Sequence, residues 1–337
     1  MLSRSVREHP FAYPDEVLMP ILKFIIRRLG LGLLTIFAVS VLIFLVTQAF
    51  PSDPAQAILG RETTPEALDA LRQELGLYRP AITQFSSWLF DIVRGDIGKS
   101  FVTQMPLSEY IAPRVGNSLF LMVVGAAFSI PMSIAIGAFA ALRRDKAFDK
   151  TTSTMSLVLA AVPEFVMGTG LILLLSTSVF HVLPAITLID AGQAPWSDLS
   201  GIVLPVLTLV LAVTPYVSRT MRASMIEMLE SDYVEMARLK GMSERTVLIR
   251  HALPNALGPV FQVIALNLAY LAGGTVIVER LFNFPGIGSA LADSVRARDL
   301  PAIQFLTLMI AGVYVLMNLL ADVATVLATP RLRTSLK

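Results

Sequence analysis

Six apolar runs, each long enough to cross a hydrocarbon layer, restrict this chain more than any other feature of it. They lie near residues 29–50, 115–142, 151–180, 201–219, 257–279 and 302–327. A helix needs about 20 apolar residues to span a bilayer core. Backbone groups at that depth must be satisfied internally, which favours helices over open strands. The charge content agrees: 15% of the 337 residues are charged and the mean hydropathy is +0.68, whereas soluble domains carry about 25% charge. The expected fold class is all-α and integral to a membrane.

The charges between the runs set an orientation. With both termini inside, residues 1–28, 143–150, 219–256 and 328–337 hold 18 Lys and Arg against 10 Asp and Glu, and the outer segments carry an acidic excess. Arg27-Arg28, Arg143-Arg144 with Lys146, and Arg331 with Arg333 flank span ends, where the positive-inside rule acts most strongly. The expected organisation is an N-terminal cytoplasmic tail (1–24), a first span (25–50), an extracytoplasmic segment with short helices (51–114), a five-helix core (115–331) containing a cytoplasmic loop (221–256), and a short tail (332–337). The apolar run after the mixed polar N-terminus is span length, longer than the core of a signal peptide. Cysteine is absent, and His9, His181 and His251 stand far apart, so neither a disulfide framework nor a metal-ligand cluster is expected.

In the first outer segment, Thr63 or Thr64 can cap a helix that Pro65 opens, with Glu66 and Asp69 near its positive end. Residues 82–95 place Phe85, Leu89 and Ile92 on one face and read as a surface helix, too short for a seventh span. Pro131, Pro163, Pro205 and Pro215 fall inside spans; their bends fit either packing geometry or a gated path.

The segment Asp232–Asn255 (DYVEMARLKGMSERTVLIRHALPN) is the most charged insertion between two spans. Asp232 suits a cap with Glu235 as its reciprocal partner. Tyr233, Met236, Ala237 and Lys240 fall near one face, where the small Ala237 would admit a partner closely. Gly241 stops this first helix. Ser243 caps a second, striped by Val247, Leu248 and His251, and Pro254 ends it. Arg238, Lys240, Arg245 and Arg250 can meet acidic groups of a soluble subunit or anionic lipid. As a pattern, the segment fits a lever that docks a soluble partner or an ordinary amphipathic inner loop.

Here the chain resembles a known family, the transmembrane permease subunits of ABC importers, and specifically the first permease of the dipeptide/oligopeptide/nickel type. The family's E-A-A, three residues, G, nine residues, I-x-L-P pattern matches Glu235, Ala237, Gly241, Leu253 and Pro254; Met236 and His251 stand at its second-Ala and Ile positions. Arg27-Arg28 with a span ending at Phe50-Pro51-Ser52-Asp53-Pro54 resembles the family's opening. Gly95-Asp96-Ile97-Gly98-Lys99-Ser100 resembles its outer turn, and Val278-Glu279 through Gly288 its V-E-x-x-F-x-x-P-G-x-G signature. The resemblance covers residues 25–337.

It implies a type I importer permease with six transmembrane helices and a coupling-helix loop in a bacterial or archaeal cytoplasmic membrane. A second related permease, two cytoplasmic ATPase subunits and an extracytoplasmic solute-binding protein would be its partners, with surrounding lipid and no nucleic acid. ATP and Mg would bind the ATPases; this chain lacks a phosphate-cradling G-x-x-x-x-G-K-[ST] segment, needs no cofactor of its own, and would not be an enzyme. The implied coupling residues are Tyr233, Glu235, Ala237, Gly241, Leu248, Leu253 and Pro254. The implied cargo is a di- or oligopeptide, with nickel complexes or glutathione as the alternatives.

Polar groups inside spans are costly and suggest function. Glu164, Asn267 and Asn318 are candidates for the pathway or for interhelix bonding, and Asp322 for a local cap or pair. Asp293 and Arg296, with Arg298 and Asp299, can meet the binding protein or form a solvated face. Two other classes compete. An ion-coupled secondary transporter would show an embedded ion site, for which Glu164 is the one acidic candidate. A membrane enzyme would need a nucleophile–base pair or metal ligands.

Overall fold

The structure, a computed structural model, describes residues 14–49, 54–60, 63–190 and 192–328. Residues 1–13, residues 50–53, and Arg331, Arg333 and the other residues from 329 on lie outside the described residues. The described chain is almost wholly helical. Among the described residues, five helices are long and apolar enough to cross a membrane: α1 (Pro14–Gln48), α5 (Leu107–Leu142), α8 (Leu199–Leu229), α11 (Leu253–Leu281) and α13 (Leu300–Ala328). A further apolar pair, α6 (Ala147–Ala161) and α7 (Glu164–Ile172), is bent by 106° and makes a sixth span if the two halves are taken together. The charge bias assigns the short helices α2 (Pro54–Leu59), α3 (Pro65–Glu74), α4 (Ala81–Val93) and α12 (Ile287–Ala297) to the outer side, and α9 (Asp232–Leu239) and α10 (Glu244–Thr246) to the inner side.

Span boundaries differ from the hydropathy runs. Helix α5 starts at Leu107, ahead of residue 115, and α8 runs to Leu229, beyond residue 219. Hydropathy marks where lipid begins, whereas a helix continues as long as its hydrogen-bond ladder is supported. Among the span prolines, Pro131, Pro205 and Pro215 sit within continuous helices. Pro163 marks the break instead. Val162 before it is extended (φ −90°, ψ 126°), the conformation that a following proline ring enforces, and α7 restarts with Glu164.

The pair α5 and α8 forms the centre. Leu121, Leu204, Leu209, Val213, Val217 and Met221 are buried between the helices of this cluster. The approach is closest at Gly137, where a Cβ would clash with the Ser218 carbonyl oxygen and Met221. Gly137→Leu should therefore force the helices apart, costing about 1–3 kcal/mol, the usual range for overpacking. A lowered midpoint of detergent unfolding would show it, and an unchanged midpoint would contradict this packing.

Outside the bundle, Thr64 caps α3 through the Ala67 amide (3.4 Å) with Pro65 in the first turn. The expected surface helix forms as α4. Its Phe85 packs edge-on and its Trp88 tilted against Phe44 of α1, with centroids 5.3 and 6.3 Å apart, so it rests on the end of α1.

Candidate functional site

On the inner side, α8 ends at Leu229 and the chain turns through Ser231 into α9. The cap differs from expectation: Ser231 occupies the N-cap and Asp232 is the first helical residue, with no side-chain cap bond. Asp232 and Glu235 instead place charge in the first turn, beside the positive end of the dipole. Gly241 then takes φ +75° with open space around it, as the predicted helix stop requires. Ser243 accepts from the Thr246 amide (3.4 Å) and caps α10.

Pro254 does not end the second helix. A π-helical turn, Val247–Ala252, joins α10 to α11 without interruption, and Pro254 lies in the first turn of α11. The wider turn makes room for a ring that would press on the carbonyl four residues back. The Asn255 side chain donates to the His251 carbonyl (2.6 Å). This loop is thus a bent foot continuous with α11.

Burial assigns the two faces of α9. Val234 is fully buried and Ala237 is 5% exposed; both belong to the main core with Val247, Ala252 and Ala256. Ala237 is therefore small to let α9 sit close on its own bundle, which corrects the expectation that it faces a partner. Tyr233, Met236 and Leu239 form the outward ridge, 54%, 54% and 75% exposed, with Glu235 also exposed. Leu248 and Leu253 pack half-buried on the core. Two bonds brace the bend: Arg238 Nε to Glu244 Oε1 (2.9 Å) across Gly241, and Tyr233 Oη with His251 Nδ1 (2.7 Å). Ser224 Oγ donates to the Ala256 carbonyl (2.8 Å), tying α8 to the base of α11.

Nearby, Arg222 of α8 holds Asp149 of α6 through two bonds, 2.5 and 2.7 Å, and Arg144 pairs with Glu230. These inner-end ties link the broken span to the helix that carries the foot.

On the outer side, the signature after the fifth span builds a buried node. Glu279 is 0% exposed. Its carboxylate accepts from Ser118 Oγ (2.6 Å) and from the amides of Gly288 (2.7 Å) and Ser289 (3.3 Å). Ser118 Oγ also accepts from the Ile287 amide, and Asn117 donates to the Pro285 carbonyl, 2.8 and 2.9 Å. A Cβ on Gly286 would meet the Glu279 carboxylate, and one on Gly288 the Val276 backbone. The glycines therefore let the start of α12 press onto α11 and α5. A second outer lock joins Asp299 to Ser100 Oγ and to the Phe101 amide (3.0 Å).

The remaining candidates separate. Asp299 is buried in that lock, so it is not a free contact for a binding protein. Asp293 is exposed but bridges Arg280 (3.1 Å), and Arg296 and Arg298 are exposed. Asp322 pairs with Arg28 of α1 (3.1 Å), a bond between helices rather than a local cap. Asn267 and Asn318 each donate to a carbonyl of their own helix, Val263 (2.8 Å) and Tyr314 (2.9 Å); neither bond reaches a neighbouring span. Glu164 is buried at the break in the third span.

Comparison with known proteins decides the class. Residues 133–334 match the binding-protein-dependent transport system inner membrane component, and residues 21–122 match the N-terminal component of such systems. The chain belongs to this ABC-importer permease family. It is similar to a probable peptide ABC transporter permease protein of Sinorhizobium fredii, 36% identical over 92% of this chain and 99% of that protein. The glutathione transport system permease protein of Escherichia coli K12 is 36% identical over 93% of this chain and 99% of that protein; that of Shigella flexneri shows the same identity and coverage.

As a permease, the chain is the multi-pass inner-membrane component of a transporter, the membrane rather than the catalytic part. Sequence reasoning found the foot through its charge and its Gly and Pro punctuation. Glu279, Ser100 and Gly288 stand in recognisable motifs without their partners, because Ser118, Asn117 and Asp299 lie far off in sequence. Asp149 and Arg222 carried no local signal at all.

Proposed function

We propose that this permease forms half of the translocation pathway for peptide-class solutes, delivered by a solute-binding protein and driven by two ATPase subunits, with a second permease completing the path. The observation that carries the reading is the inner foot. Its Tyr233–Met236–Leu239 ridge faces outward from the bundle while Val234 and Ala237 root it in the core. An apolar ridge on a braced element suits insertion into a groove of a soluble protein. Movement of that groove passes through the π turn into α11 and through Ser224 into α8. Tyr233 and Glu235 are the contact residues in this reading. Ala237, Leu248 and Leu253 seat the foot, and Gly241 and Pro254 shape it. Asp293 and Arg296 offer charge to the binding protein on the outer face. The solute class follows from relatives named for peptides and for glutathione, itself a short peptide.

The test uses the assembled transporter in liposomes, with its binding protein and short peptides as cargo. Replacing Met236 and Leu239 together by glutamate should leave the permease folded, since both side chains are exposed. It should weaken docking of the ATPases by about 2 kcal/mol, as for central apolar anchors, roughly 30-fold in affinity. Undiminished uptake and ATPase association in this variant would refute the ridge as the docking element.

A further inference from the structure

A cavity of about 220 Å³ opens at the break between α6 and α7, lined by Pro163, Glu164, Met167, Ala212, Tyr216 and Tyr270. These residues come from three spans, and Glu164, Ala212 and Tyr270 each lie near the midpoint of theirs. The cavity therefore sits near the centre of the membrane. Glu164 is 8% exposed. Tyr270 lines the same cavity, and the Glu164 Oε2, itself buried, has no hydrogen-bond partner among the described residues.

The contrast with Glu279 gives this meaning. That carboxylate is also buried in a span, and it is saturated by Ser118, Gly288 and Ser289. A structural acid satisfies its oxygens, because an unmet buried acceptor carries a full desolvation cost. Glu164 keeps one oxygen unmet beside a cavity, at a point where the span is bent by 106°. Irregular backbone at membrane depth is tolerated where it lines such a cavity, and intramembrane acids mark solute or ion paths.

We propose that Glu164, with Tyr270 and Tyr216 beside it, is a way-station for the ammonium group of the passing solute. This deepens the peptide reading and rests on it. The carboxylate accepts from the ammonium, Tyr270 lines the same cavity, and the two tyrosine rings offer faces that attract a cation. A basic side chain of the second permease would present the same chemistry, and the experiment separates the two sources.

The experiment compares a free-amine tripeptide, trialanine, with its N-acetylated form. Uptake and ATP hydrolysis are measured in liposomes carrying the full transporter and binding protein. Glu164→Gln is expected to lower uptake of trialanine relative to acetyl-trialanine by about 10-fold, the scale of one charged hydrogen bond, and Glu164→Asp to restore part of it. Tyr270→Phe keeps the ring and the packing; it should shift the same ratio in the same direction, and it tests the site even if Glu164→Gln fails to assemble. Equal loss for both peptides points to a fixed cation of the second permease and overturns the proposal, as does an unchanged ratio in both variants. If the unaltered transporter hydrolyses ATP and carries neither peptide, the peptide reading itself has failed and this site falls with it. Wild-type uptake of both peptides with no change in the ratio sinks the site alone.

Discussion

Ala237→Arg is expected to abolish nucleotide-driven uptake. Ala237 and Val234 are the buried residues that hold α9 to the bundle, and an arginine at position 237 cannot remain there without burying an unpaired guanidinium. Such a charge costs about 3–5 kcal/mol. The exposed bonds that brace the bend do not offset that, so α9 should lift from its seat while the spans stay folded. Uptake should vanish, and ATP hydrolysis, if the ATPases still bind, should lose its dependence on the loaded binding protein. Ala237→Ser, which changes little volume and brings a hydroxyl able to bond its own helix, should retain most activity. Gly241→Pro attacks the same element differently: proline cannot adopt φ +75°, so the second arm of the foot is redirected. Coupled uptake by Ala237→Arg at wild-type rates would show that force reaches the spans by another route.

The second large effect is on the outer side. Glu279→Ala removes the common acceptor of Ser118 Oγ and the Gly288 and Ser289 amides in a site closed to water. Each orphaned buried donor costs about 1–3 kcal/mol, so the node should lose roughly 3 kcal/mol or more. The start of α12 should then leave α5 and α11. Glu279→Gln keeps the volume and one carbonyl acceptor and should lose less. Gly288→Val should reproduce the alanine phenotype by the opposite means, since its side chain would occupy the space of Val276. Protease sensitivity of residues 285–299 and the thermal midpoint of the purified complex would report the loosening. If Glu279→Ala leaves both unchanged, the network is incidental to the fold.

How far the residues could be read in advance varied with the range of the interaction. The foot was legible because its signals are local: Gly241 to stop a helix, Ser243 to start one, charges where lipid ends. Its details were not. Asp232 lost the cap to Ser231, because the turn out of α8 already placed Ser231 in extended geometry (φ −77°, ψ 145°). Pro254 reads as a terminator by local rules, but the π turn before it lets the helix continue. The direction of Ala237 is not carried by spacing, which says which residues share a face and not which face meets the bundle.

The spans, the inside-out charge bias and the short outer helices were determined by the sequence alone, since partition between water and lipid acts on each segment separately. Pairings between distant residues were decided only by tertiary structure: Glu279 with Ser118, Asp299 with Ser100, Asp149 with Arg222, and the unmet oxygen of Glu164 across from Tyr270. Each of these depends on which helices become neighbours and on the few ångströms left between them. That is set by packing at glycines such as Gly137 and Gly288, and no single segment carries it.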